Sequence, residues 1–213
     1  MPRFRQAKPA SMACRAGTVA EWLPEWQTVL RPPPRWTREK PIMTSATGRI
    51  AAVVGADSVT AQALLAAMVR DWRALGAKVV GLIEEPHGHS DRTCTAGILR
   101  DIVSGKPYQI HFETPPNHTA CDMDGAGVET ACAAVINDVL ASDLVVLSKF
   151  GKLEAMRQGL AAAFDAAIAA GRPVLTTVSD RHHDAWQAFA PDAIMLPADD
   201  AAIQDWWRAV RLR

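Results

Sequence analysis

The segment Asp143-Leu-Val-Val-Leu-Ser-Lys-Phe-Gly-Lys-Leu-Glu154 constrains the fold more than any other part of the chain. It opens as an unbroken apolar run, the pattern of a strand buried on both faces of a parallel sheet. It turns polar where such a strand would reach its carboxyl end, the edge at which open α/β sheets bind ligands. A nucleotide hydrolase would carry acidic residues there to hold a metal ion; this chain has Ser148 and Lys149.

The surrounding pattern agrees with that placement. Arg49–Gly55 is a buried strand ending in glycine, and Ala61, Leu64, Leu65, Met68, Trp72 and Leu75 recur at helical spacing up to a stop at Gly76. Lys78–Ile83 is a second strand, completing a βαβ unit whose crossover is expected to be right-handed. Short extended pieces around Ile98–Val103 and Tyr108–Phe112, separated by Ser104-Gly105-Lys106, predict a hairpin. Val128, Ala131, Cys132, Val135 and Val139 form a further helical stripe, in which Cys132 is a core residue. A helix is expected over 153–170, then strands at Pro173–Val178 and Ala193–Leu196, and a terminal helix over 199–210. This alternation predicts a three-layer α/β/α domain with a mainly parallel sheet and a hairpin insertion, over residues 48–213.

Residues 1–47 stand apart. Residues 1–42 hold eight Lys/Arg against three Glu, a net of +5, and the remainder holds fifteen against twenty, a net of −5. A basic arm can contact nucleic acid. Pro32-Pro33-Pro34 and the lack of periodicity instead favour a disordered extension, or an upstream start with Met43 as the true beginning. Trp22, Trp26 and Trp36 fit poorly with a purely solvated coil. No apolar run approaches the roughly 20 residues that span a bilayer. The four cysteines, Cys14, Cys94, Cys121 and Cys132, form no C-x-x-C pair, so the expected compartment is the reducing cytoplasm.

Gly55-Ala-Asp-Ser-Val-Thr60 lies between the first strand and its helix, where helix N-H groups favour an anion. A phosphate-binding loop of the form G-x-x-x-x-G-K-[ST] uses its lysine on the phosphates and its hydroxyl on magnesium. Counted from Gly55, those last three positions are Thr60, Ala61 and Gln62. The loop therefore lacks the second glycine, the lysine and the metal ligand. Gly55, Ala56, Asp57, Ser58 and Thr60 remain candidate ligand contacts, together with Ser148 and Lys149 at the same edge, with helix capping by Asp57 or Ser58 the competing role.

The order of these elements resembles the THEP1-type nucleoside-triphosphatases. It is closer to the bacterial domain of unknown function family 2478, on Cys121-Asp-Met-Asp124, Ser148-Lys-Phe-Gly-Lys-Leu-Glu-Ala155 and Pro173-Val-Leu-Thr-Thr-Val178. The resemblance covers about residues 48–210 and implies a P-loop-NTPase-like fold. It also implies a molybdenum-linked setting, since members occur beside molybdenum and sulfonate genes and are sometimes described as ATP-binding components of molybdate transport. The triphosphatases carry Asp-Glu where this chain has Ser148-Lys149, so both the magnesium-organising aspartate and the water-activating glutamate are missing. Phosphoryl transfer needs such groups, which makes efficient hydrolysis an unfavourable expectation. Lys149 could instead supply the charge that the first loop lacks, giving a site for phosphate, molybdate or sulfate.

Three functions follow. The leading one is a cytoplasmic accessory or regulatory protein that binds a nucleotide or oxyanion, partnered with a molybdate-transport or regulatory protein. The second is an active nucleoside-triphosphatase in which Asp57, Glu84, Glu85 or Glu154 holds magnesium, Glu154 being the candidate catalytic group. The third is a metal-binding accessory protein using His87, His89, Cys94 and Cys121, with His111 and His118 nearby. Imidazole and thiolate suit zinc or copper, though this spacing matches no standard closed site.

Overall fold

The computed structural model describes residues 48–86, 96–112 and 123–212. The described residues all fall within one compact unit. Its strands are β1 (Ile50–Val54), β2 (Val79–Pro86), β3 (Ala96–Asp101), β4 (Pro107–Gln109), β5 (Leu144–Phe150), β6 (Val174–Val178) and β7 (Ile194–Pro197). Its helices are α1 (Ser58–Ala74), α2 (Gly125–Val135), α3 (Lys152–Ala155), α4 (Ala161–Ala169), α5 (His183–Phe189) and α6 (Asp200–Arg211).

The strands form one sheet in the order β4-β3-β2-β5-β6-β1-β7. From β2 to β7 every pairing is parallel, while β3 and β4 add an antiparallel hairpin at the β2 edge. Burial on both faces explains the continuous apolar runs: Leu144, Val145, Val146 and Leu147 are fully buried, their side chains alternating between two cores. One core joins Val146, Leu65, Trp72, Ile203 and Trp207, packing α1 and α6 on the sheet. The other joins Val145, Leu147, Val128, Phe164 and Trp186, packing α2, α4 and α5 on the opposite face. The result is the three-layer α/β/α arrangement expected from the alternation.

The helix expected over 153–170 is instead two. α3 ends at Ala155, and Arg157 and Gly159 take positive φ values of 63° and 59° before α4 begins at Ala161. Glu154 causes the break. Its Oε2 accepts the Gly151 N-H at 2.9 Å and its Oε1 accepts the Leu160 N-H at 2.9 Å, tying both ends of the turn to one buried carboxylate. A Cβ at position 159 would lie 2.5 Å from Glu154 Oε1, so any residue but glycine strains the turn. The periodicity of Leu153, Leu160, Phe164 and Ala167 conceals this interruption because both helices face the same core. The stripe from Val128 likewise leaves α-helical geometry after Val135, and Val139 sits in a 3-10 segment, Ile136–Ala141.

Candidate functional site

The carboxyl ends of β1, β2, β5 and β6 converge on one edge of the sheet. At β1, Gly55 has a φ of 81°, a turn conformation that glycine tolerates, and Asp57 becomes the N-cap of α1. Its Oδ1 accepts the Thr60 N-H at 3.0 Å and its Oδ2 accepts the Thr60 hydroxyl at 2.6 Å. These bonds, that from the Thr60 hydroxyl foremost, hold the Asp57 carboxyl below its ordinary range. A carboxylate of the chain therefore occupies the place at the α1 N-terminus where a bound anion would be favoured.

At β5 the register against β6 slips. Leu147 pairs with Thr176 and Phe150 with Val178, so β5 carries one more residue than its partner across this interval. The Ser148–Lys149 peptide inside the bulge is cis. Phe150 anchors the far side, its ring 5.0 Å from that of Trp186 and 6.1 Å from that of Phe164. Between these fixed points the bulge aims Ser148 and Lys149 at different neighbours, a common use of such an insertion.

Ser148 is buried, and its hydroxyl is committed to the protein. It accepts the Glu84 N-H at 3.2 Å and donates to Gln62 Oε1, while Gln62 Nε2 donates to Thr177 Oγ1 at 3.2 Å. This buried polar chain crosses from β2 to β6 beneath α1. Lys149 reaches outward instead, with Nζ 3.3 Å from Ser58 Oγ and 3.3 Å from Glu84 Oε1. The structure thus brings Lys149 to the loop after β1, but with a buried acid as its counter-ion.

The four acids expected as alternative metal holders are each engaged. Asp57 binds Thr60, and Glu84 pairs with Lys149. Glu85 receives both Arg100 Nε at 2.6 Å and Arg100 Nη2 at 2.7 Å, and these bonds lower its carboxyl from the ordinary range. Glu154 holds the turn described above. Burial pushes its carboxyl upward, opposed by the hydrogen bonds from Leu160 and Gly151 and by the charge of Lys149. Among the described residues no group of three or more His, Cys, Asp or Glu side chains is placed to hold a metal ion. His87, His89, Cys94, His118 and Cys121 lie outside the described residues. His111 is described, and its Nδ1 donates to the Gly97 carbonyl at 2.8 Å. Cys132 is buried among apolar neighbours, as its place in the stripe implied.

A cleft of about 550 Å³ opens beside Lys149, between the β3–β4 hairpin, α2 and α3. Lys152, Arg181 and His182 line it with Lys149, over an apolar floor that includes Leu99 and Leu160. Desolvation, with the charges of Arg181 and Lys149, lowers the His182 imidazole and favours its neutral form. The sequence reading missed this cleft. Its walls come from separated segments, and the one available signal was Arg181-His182-His183, two residues beyond the buried strand β6.

An open, mainly parallel α/β sheet with a glycine turn between its first strand and helix defines a P-loop-NTPase-like fold. The chain belongs to the family described as protein of unknown function (DUF2478), whose model matches residues 50–206. It is also similar to the molybdenum import ATP-binding protein ModC 2 of Bradyrhizobium diazoefficiens, at 31% identity over 163 residues. That similarity takes in 75% of this chain but only 18% of the relative, so the chain spans less than a fifth of that protein's length. No solved structure matches the chain. Among the described residues no helix is long and apolar enough to cross a membrane.

Proposed function

We propose that this protein is an anion-binding accessory component that takes a nucleotide or a small oxyanion without efficient hydrolysis. The observation that carries this reading is the position of Lys149 Nζ, 3.3 Å from Ser58 Oγ in the loop after β1. A cation delivered from β5 stands in for the lysine that the first loop lacks. Because Asp57 already caps α1, the contacts would come from Lys149, Ser58 and the turn at exposed Gly55 and half-buried Ala56 rather than from the helix amides. Glu84 then competes with the ligand for Lys149, which sets the affinity low and makes it sensitive to that acid. Efficient hydrolysis is not expected, because Asp57, Glu84, Glu85 and Glu154 are engaged within the protein.

The molybdenum setting is supported by the name of the Bradyrhizobium relative. On that basis the ligand is molybdate or ATP, the partner a molybdate-transport or regulatory protein, and the compartment the cytoplasm. Titration calorimetry with molybdate, sulfate and ATP tests the reading. The expected result is saturable binding of at least one of them, weakened tenfold or more in Lys149→Ala and tightened in Glu84→Gln. Absence of binding for all three would overturn it, and magnesium-dependent phosphate release lost in Glu154→Ala would replace it with the hydrolase.

A further inference from the structure

We infer that the cleft beside Lys149 is built for an organic anion with an apolar body, the head on the cationic rim and the body on the apolar floor. The inference rests on the reading of Lys149 as an anion contact, and it names the class of ligand that this contact serves. Size is the first argument. About 550 Å³ falls within the range of small-molecule sites, roughly 300–1,000 Å³, and far exceeds what a tetrahedral oxyanion fills.

The chemistry of the walls is the second argument. Leu99 from β3, Ile110 after β4, Val128 from α2 and Leu160 before α4 supply apolar floor from four parts of the chain. Half-buried Met123 and Leu153 extend it, and exposed Met156 carries it to the mouth. An inorganic oxyanion would gain nothing from these groups, whereas a hydrocarbon or ring would remove apolar surface from water.

Charge is the third. Both acids among the described lining residues are already engaged, Glu84 with the rim's own Lys149 and Glu154 with the Gly151 and Leu160 N-H groups. Among the described residues neither Lys152 nor Arg181 makes an ion pair. Among the described residues the rim therefore presents two cations without an ion-pair partner, Lys152 and Arg181, next to Lys149. A site that combines an apolar floor with a few convergent charged groups selects an amphipathic ligand by size and by sign.

Calorimetry with inorganic phosphate, a series of n-alkyl phosphates from methyl to hexyl, and the matching alkanols tests this on the full chain. The expected result is that phosphate binds weakly and that affinity rises about threefold to fourfold per added methylene until the floor is covered. Alkanols should bind far more weakly than the phosphates of equal length. Met156→Asp, at an exposed position, should flatten the dependence on chain length, and Arg181→Glu should weaken all alkyl phosphates about tenfold, as loss of a charged contact does. Phosphate binding with no gain along the series would overturn the inference and leave the proposed function standing. Alkanols binding as well as alkyl phosphates, or both variants matching the parent, would also overturn it. Failure of every phosphate to bind would overturn the inference as well, whereas the proposed function falls only if molybdate, sulfate and ATP also fail to bind.

Discussion

Lys149 Nζ stands 3.3 Å from Glu84 Oε1, and the two side chains differ sharply in exposure, 24% for the lysine and 5% for the glutamate. The lysine can turn toward solvent or a ligand. The glutamate cannot, because β2 fixes it among buried residues. The pair is therefore asymmetric: losing Lys149 strands a charge, whereas losing Glu84 releases one.

Lys149→Met should lower stability by roughly 3 kcal/mol, the cost of an uncompensated buried carboxylate. Adding Glu84→Gln to the same chain should restore most of that loss. Urea unfolding of the three proteins measures it, and equal midpoints for the single and double variants would contradict the coupling.

Gly159→Ala should cost about 2 kcal/mol, because residue 159 must keep a φ of 59° and its new Cβ would press on Glu154 Oε1. A thermal midpoint unchanged from the parent would show that the turn between α3 and α4 relaxes freely.

Glu154 gives a signed pH dependence. Its folded carboxyl is raised above the ordinary value of 4.5, chiefly by burial, so the folded state takes up the proton more readily than the unfolded chain. The linked stability is fully present below the unfolded value and is lost as pH rises through the folded one. Relative to Glu154→Gln, which cannot titrate, the parent should gain stability as pH falls from 7 toward 4.5. A constant difference across that window in denaturant titrations would count against the raised carboxyl.

Gln62→Leu should cost about 1–3 kcal/mol despite the similar volume, because Ser148 and Thr177 would lose a buried partner. If the variant proved as stable as the parent, the polar chain beneath α1 would carry no energetic weight.

The sheet was legible because burial on both faces leaves an unambiguous trace. Runs such as Leu144–Leu147 and Val174–Leu175 cannot alternate with solvent, so they announce a parallel interior. The hairpin was legible from Ser104-Gly105-Lys106. The break between α3 and α4 was hidden, because a carboxylate bonded to the backbone leaves the apolar spacing of Leu153, Leu160 and Phe164 undisturbed. At the site, the approach of Lys149 to the loop after β1 was anticipated from their shared place at the carboxyl edge, although β6 lies between β5 and β1. The pairing with Glu84 was not, since it depends on the one-residue bulge between Leu147 and Phe150, which nothing in the local composition marks. The cleft was the least visible, assembled from single residues of separated elements.

The position of β1 has a temporal meaning. It is the first strand of the sheet to be made, yet its two neighbours, β6 and β7, are the last. During synthesis Ile50–Val54 must wait with both backbone edges open until more than a hundred later residues have emerged. Such long-range closure slows folding and prolongs exposure of a sticky segment. Trimming β7 and α6 would therefore open one backbone edge of β1, beside the loop at Gly55.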